Sequence, residues 1–501
     1  MRAPRQVVRL AVGAGVLAVL AAAAWQARGT ASEAASTRGS LLTLHPCRPR
    51  GVSEDVRCGA LEVPEDRASP RGRQISLHVA VVPALSGTPK PDPVFVLAGG
   101  PGQGAAELIG AVLPMLRKVH RTRDLVFVDQ RGTGKSSPLA CDDPPDAGLA
   151  ARFAPGVDVA NLKTCLARYQ AKGIDVRQYL TPQAMDDLDA VRAALGYDQI
   201  DLWGVSYGTR AALVYMRRHP KHVRAAVLDS VAPNTESLVL TASEDADRAF
   251  ELIFDACAKS ASCDAAYPRL RTQFTALLDA LAAHPAQVRV ADPVTGAPVS
   301  FTLGRDAFVN NLHGLLYVPE ISALLPLIIH RAAQGDYGPF VAQAAGTSGE
   351  FGDLAWGMFL SVVCAEDAPV ATPQAIAAHT DHTLMGAAFA DDLVRSCAVW
   401  PRGALPPGYH HLVRSSAPTL LLSGELDPVT PPARAAEIMP GLTHSLQLTV
   451  PGVGHGVTQQ GCVPDLVAQF IDTARVSGLD GGCAQTLRRP PFFASFAGPP
   501  P

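Results

Sequence analysis

The first feature of this chain that points to chemistry is a serine with glycine two residues away on either side. The segment Gly204-Val205-Ser206-Tyr207-Gly208 lies between a predicted strand, Ile200–Gly204, and a predicted helix, Ala211–Arg218. In a sharp strand-to-helix turn, small flanking residues let the backbone hold the serine out at the strand end, where it can act as a nucleophile. The plainer alternative is a turn whose serine caps the helix. A serine hydroxyl attacks a carbonyl only when a base takes its proton, so a histidine must reach it, oriented in turn by a carboxylate. In sites of this kind the acid and then the histidine follow the serine along the chain. Of 14 histidines, His455 stands in the turn Pro451-Gly452-Val453-Gly454-His455-Gly456, just beyond a late predicted strand. His410 and His411 precede a strand and His313 lies in a helical region, so all three are set aside. For the acid, Asp427 follows the predicted strand Thr419–Ser423 and precedes His455 by 28 residues, which suits neighbouring strand ends. Its rival is Asp229, at the end of an earlier strand, which is read as a structural hydrogen-bonding group.

A second glycine cluster, Ala98-Gly99-Gly100-Pro101-Gly102-Gln103-Gly104, follows the predicted strand Val94–Ala98. Small residues there let backbone N–H groups approach a developing oxyanion, and the expected donors are the N–H groups of Gly100 and Tyr207. Gly132-Thr133-Gly134-Lys135-Ser136 imitates a phosphate loop, but that motif needs glycine five residues before Gly134, and Asp129 stands there. The segment from Asp129 to Ser136 is therefore read as a strand-end turn, with Asp129 and Arg131 hydrogen-bonded structurally and no nucleotide implied.

The elements that must position these groups are legible as patterns. Strand-like runs at Ile75–Val82, Val94–Ala98, Leu125–Asp129, Ile200–Gly204 and Ala226–Asp229 alternate with helix-like stretches, the mark of a mostly parallel sheet covered on both faces. After Pro233 the pattern changes to Ala/Leu-rich helical segments, including Arg248–Ala258, Thr272–Ala283 and Ile321–Ala333, until about Pro407. Strand-like runs return at Thr419–Ser423 and Ser445–Val450. The expected architecture is one α/β domain, residues 37–235 and 408–501, interrupted by a helical cap insertion over 236–407. No internal repeat is visible.

Composition narrows the class. The 501 residues are 48 % hydrophobic and carry 43 basic against 46 acidic side chains. That supports a core and excludes a disordered tail protein, a polybasic nucleic-acid binder and a polytopic membrane protein. Arg2, Arg5 and Arg9 precede an apolar run of 16 residues, Leu10–Trp25, followed by small residues. This is the outline of an export signal over about 1–36, shorter than a bilayer span, with cleavage between Ala24 and Ser36. Export makes the even number of cysteines read as disulfides. They fall in neighbouring pairs, Cys47 with Cys58, Cys141 with Cys165, Cys257 with Cys263, Cys364 with Cys397, and Cys462 with Cys483, and five sequential bridges are predicted. None of the pairs has the spacing of a zinc site.

Taken together and in this order, Gly-Gly-Pro-Gly, Asp-Gln-Arg-Gly-Thr-Gly-Lys-Ser, Gly-Val-Ser-Tyr-Gly, Gly-Glu-Leu-Asp-Pro-Val-Thr-Pro and the final Gly-His-Gly resemble the α/β-hydrolase-fold aminopeptidases. That group includes prolyl aminopeptidases and secreted tripeptidyl aminopeptidases. The paired cysteines, export signal and long insertion look most like the tripeptidyl branch, and the likeness covers essentially everything after residue 40. One departure is Ala98, where prolyl aminopeptidases commonly carry histidine, which weakens transfer of their proline preference. The resemblance implies hydrolysis of peptide bonds near a free N-terminus without metal or organic cofactor. It implies peptide partners, while composition speaks for no nucleic acid and the export signal for no stable membrane insertion after its cleavage and a place in the periplasm or outside the cell. Such an enzyme must recognise a substrate ammonium, and the cap segment Leu360–Asp367 is implied to lie over the site. Glu366 is the expected amine anchor and Asp367 the runner-up; the alternative is a helix-end charge pair facing water. Two other functions remain open on sequence: a carboxylesterase using the same triad on small esters, and a binding module that has lost activity.

Overall fold

The computed structural model describes residues 42–141, 148–346 and 354–498, so the expected export signal lies outside the described residues. The first strands are β1 (His45–Cys47), β2 (Val56–Pro64), β3 (Gln74–Val82), β4 (Val94–Leu97), β5 (Leu125–Val128), β6 (Ile200–Val205) and β7 (Val223–Asp229). Next, β8 (Ala286–Ala291) and β9 (Pro298–Leu303) form a separate antiparallel pair, after which β10 (Thr419–Gly424) and β11 (Ser445–Val450) rejoin the main sheet. The main sheet has the order β1-β2-β3-β5-β4-β6-β7-β10-β11. It is antiparallel from β1 to β5 and parallel from β5 to β11.

Helices α1 (Ile109–Met115), α2 (Thr181–Ala194) and α3 (Tyr207–Arg218) lie against this sheet. Helices α4 (Leu238–Lys259), α5 (Arg305–Leu315), α6 (Trp356–Glu366) and α7 (Ala388–Val399) belong to the insertion between β7 and β10, and α8 (Val463–Thr473) returns to the sheet. The apolar strands show why both faces must be covered. In β4 and β5, Phe95, Leu97, Val126 and Val128 pack with α2 and α3, while Val94, Val96, Leu125 and Phe127 pack with α1 and α8. Alternate residues of one strand thus serve two core layers, which is what a continuous apolar run in a central strand means.

The insertion has its own apolar core around Phe250, Phe274, Phe308 and Phe340, and it recruits Phe153 and Phe492 from outside 236–407. Two expectations there need correction. The insertion is not wholly helical, because the β8–β9 hairpin lies within it, turned at Asp292, whose carboxylate accepts the N–H groups of Val294 and Thr295. The helix expected over Ile321–Ala333 is broken into Pro319–Ser322 and Leu325–Ala333, since Pro326 lacks an N–H for the preceding turn and suits only the first turn of a new helix. All five sequential disulfides are present, and Cys364–Cys397 ties α6 to α7. No helix among the described residues is long and apolar enough to cross a membrane.

Candidate active site

Ser206 sits between β6 and α3 with φ 57° and ψ −128°, a backbone conformation that non-glycine residues adopt only at a cost of about 1–3 kcal/mol. The surroundings impose it. The Ser206 N–H donates to the Asp229 carbonyl at 2.9 Å, and the Ser206 carbonyl accepts the Thr209 N–H and hydroxyl at 2.8 and 2.6 Å. The two glycines of the motif are required by contact: a Cβ at Gly204 would overlap the Gly208 carbonyl, and one at Gly208 would overlap the Leu97 carbonyl. The helix can therefore start immediately against β4 and β6, with the serine at the hinge. The turn after β4 backs onto it, since a Cβ on Gly99 would lie 3.3 Å from that of Ser206. Gly100, Ser206 and Tyr207 border one small cavity.

The loops after β10 and β11 bring the acid and histidine together. His455 Nδ1 lies 2.9 Å from Asp427 Oδ2 and 3.2 Å from Thr430 Oγ1. The Thr430 hydroxyl donates to Asp427 Oδ2 at 2.9 Å, and the N–H groups of Val429 and Thr430 donate to Oδ1 at 3.0 and 2.8 Å. Burial pushes the Asp427 carboxyl up, but the charge of His455 and these donors outweigh it and hold the pKa at about 2. Desolvation pulls His455 down, and Asp427's charge and hydrogen bond, aided by Asp229's charge, more than offset it, leaving its pKa above the ordinary 6.5. Asp229, the rival acid, does not touch the imidazole. It accepts the N–H groups of Val457 and Thr458 at 2.8 and 2.7 Å and the Thr458 hydroxyl at 2.6 Å, so it anchors the loop that follows the histidine.

Ser206 and His455 open onto a cavity of about 430 Å³ between sheet and insertion. Its wall is largely apolar: Leu108 and Met115 at the ends of α1, Trp203, Leu238, Trp356, Phe359 and Phe389. The cap supplies two more groups: His313 from α5, set aside above as a candidate base, and Tyr317 just after it, which no motif marks. A second, smaller cavity of about 60 Å³ also touches Ser206 and is lined by Tyr207, Arg210, Glu236, Asp367, Thr430 and Arg434. It is charged. Two guanidinium groups and two carboxyl groups line it; outside the lining, Arg434 also pairs with Asp245 and Glu437, and Arg210 lies near Glu366. Burial first, and then the hydrogen bond that its protonated form donates to Glu437, push Glu236 up to about 8 against the pull of Arg434.

Glu366 is not placed to anchor an amine. Only 1 % exposed and lining neither cavity, it accepts the Thr181 N–H and hydroxyl at 2.8 and 2.9 Å and the Tyr409 hydroxyl. As the last residue of α6 it is turned into the seam between cap and core, where its carboxylate is consumed. Burial pushes its pKa up to about 7. Thr181 Oγ1 also lies 2.7 Å from the Tyr207 hydroxyl, so Glu366 supports the residue after Ser206. Asp367 does border the smaller cavity, but forks onto Arg210 at 2.9 to 3.1 Å and accepts the Leu238 N–H.

The phosphate-loop mimic is a turn built on Asp129, which accepts the N–H groups of Ala106 and Lys135 at 2.8 and 2.9 Å. Fully buried Arg131 forks onto Asp187 at 2.6 and 2.8 Å. Among the described residues, Asp189, His219 and His222 form the one group spaced to share a metal ion. Arg192 at 2.7 Å and the Tyr215 hydroxyl at 2.9 Å already satisfy that carboxylate.

Residues 92–458 match a family model described as alpha/beta hydrolase fold. A tripeptidyl aminopeptidase of Streptomyces lividans is 28 % identical over 492 residues, covering 92 % of this chain and 89 % of that protein. The serine protease Hip1 of Mycobacterium tuberculosis is 28 % identical over 487 residues, 88 % of this chain and 91 % of that protein. A proline iminopeptidase of Neisseria gonorrhoeae is 28 % identical over 147 residues, 29 % of this chain and 34 % of that protein.

Proposed function

Because the chain belongs to the alpha/beta hydrolase fold family, we propose that it is an exported serine aminopeptidase that cuts peptide bonds near a free N-terminus. The observation that carries this is the Asp427–His455 pair opening onto the same cavity as a backbone-strained Ser206. With Nδ1 turned to Asp427, Nε2 is the nitrogen left to take the proton of Ser206 Oγ as it attacks the scissile carbonyl. The N–H groups of Gly100 and Tyr207 stabilise the oxyanion; losing one such donor typically costs roughly 100- to 1000-fold in turnover. His455 then gives its proton to the leaving amine, and water, deprotonated by the same imidazole, releases the acyl group. Asp427, held at about pKa 2, stays ionised throughout and keeps the imidazole oriented.

The ammonium of the substrate is assigned to the smaller cavity, where the carboxyl groups of Glu236 and Asp367 line the space that also touches Ser206, and the two guanidinium groups beside them are already paired with further carboxyl groups. An arriving cation favours the ionised form of a carboxyl whose pKa stands near 8. Apolar side chains of the substrate belong in the larger cavity. Export is supported by the five disulfides, which persist in oxidising compartments.

A second reading, a carboxylesterase, has one observation in its favour: among the described residues, the single carboxylate lining the larger cavity, Asp229, is committed to the loop after His455. Purified protein assayed on free and N-acetylated mono-, di- and tripeptide amides and a short-chain ester, with Ser206→Ala as blank, separates the two. Cleavage of free but not acetylated peptides is expected, with the favoured length giving the depth of the site. Cleavage of the ester alone would move the protein to the esterases and leave Glu236 without a role.

A further inference from the structure

The loop Pro451–Gly456 contains three glycines, so its backbone does not by itself fix the position of His455. Groups of the sheet hold its far end: Ser230 Oγ accepts the Gly456 N–H at 2.9 Å, and Asp229 accepts the next two N–H groups. The near end is held by the cap. The His455 N–H donates to the Tyr317 carbonyl at 2.9 Å, and Gly454 packs so closely that a Cβ there would overlap that same oxygen. The Tyr317 ring lies against the imidazole, centroids 5.1 Å apart and planes at 65°. One turn earlier, His313 packs on the Tyr317 ring at 5.7 Å and places Nε2 3.3 Å from the carbonyl of Pro428, the residue after Asp427. Two residues of one cap segment therefore meet both limbs of the acid–histidine pair.

From this geometry we propose that Tyr317 is a positioning residue for His455, and that the insertion holds the base in register as well as covering the cavity. The inference rests on the reading of His455 as the base. The ring packs against the imidazole at the end of a glycine-rich loop, so without it the histidine can swing while still bonded to Asp427. A displacement of about 1 Å in a catalytic group can cost on the order of 100-fold in rate. Tyr317 also lines the cavity that takes the substrate. A side chain filling that cavity braces the same ring, which links substrate bulk to turnover as well as to binding.

The test compares wild type, Tyr317→Phe and Tyr317→Ala by kcat and KM on the best free-amine substrate, with thermal midpoints to establish folding. The phenylalanine variant keeps the ring and is expected to hold kcat within about twofold, while the alanine variant loses about 10- to 100-fold in kcat with KM changed far less. If alanine prevents folding, Tyr317→Leu, which keeps bulk without the ring plane, gives the same comparison. A raised KM with wild-type kcat would reduce Tyr317 to cavity lining and overturn the proposal. Equal loss in Phe and Ala would place the effect in the hydroxyl and overturn it too. His455→Ala run in parallel separates the levels: an active His455→Ala enzyme sinks the reading of the base itself, whereas an inactive one beside an unaffected Tyr317→Ala enzyme sinks only this inference.

Discussion

His455 and Glu366 carry the sharpest expectations at the scale of single residues. The histidine must be neutral to accept a proton, so activity is lost as pH falls through its pKa, which Asp427 raises above 6.5. The acid limb of kcat/KM is thus expected above the ordinary histidine value. In Asp427→Asn it should move downward, with rate reduced by roughly ten-thousand-fold, as measured by pH-dependent kinetics. A free substrate amine loses its proton near pH 7.7–8.0, about the ordinary α-amino value, so cleavage of free peptides should also decline on the alkaline side. Glu366 behaves differently because its partners lie within the protein. Glu366→Ala strands Thr181 and Tyr409 in a buried seam and should cost about 1–3 kcal/mol in denaturant unfolding. Its preference for free over acetylated substrate should survive, whereas Glu236→Gln should abolish it. Loss of that preference in a folded Glu366 variant would restore the anchor role that its burial denies.

At the scale of elements, the nucleophile turn is a packing solution before it is a catalytic one. The close approach of α3 to β4 leaves no room for a Cβ at residue 208, so Gly208→Ala is expected to lower soluble yield and cut kcat at least 100-fold. Gly314→Ala is the matched control, since that glycine lies inside α5 with open space around it. The substitution should be stabilising by about 0.5–1 kcal/mol, read from the shift in denaturation midpoint. Strand periodicity was legible because the central strands serve two core layers and read as unbroken apolar runs. The β8–β9 hairpin was not read, although its Asp-Pro-Val-Thr-Gly turn is visible in the chain, because the surrounding Ala/Leu-rich helices dominate the pattern.

For the molecule as a whole, cap and core are joined by shared apolar layers, whereas each disulfide lies within one of the two, and the bridges should not be equal. Cross-links stabilise mainly by restricting the unfolded chain, more for longer loops. Removing Cys364–Cys397, with a separation of 33 residues, should cost about 1.5 kcal/mol more than removing Cys257–Cys263, with a separation of 6, as measured by denaturant unfolding of the paired serine variants. From sequence alone came the mostly parallel sheet, the pairing of cysteines with their neighbours, and Ser206, Asp427 and His455 as candidates. Each depends on local pattern: a strand-to-helix turn, a loop after a strand, a short spacing. Only the tertiary structure placed His313 and Tyr317 against the histidine loop, Glu236 on a cavity that also touches Ser206, and Glu366 in a closed seam. Those outcomes depend on how a long insertion folds back over the sheet, and whether a carboxyl faces a cavity or a neighbour is a property of packing between distant segments, which spacing along the chain does not encode.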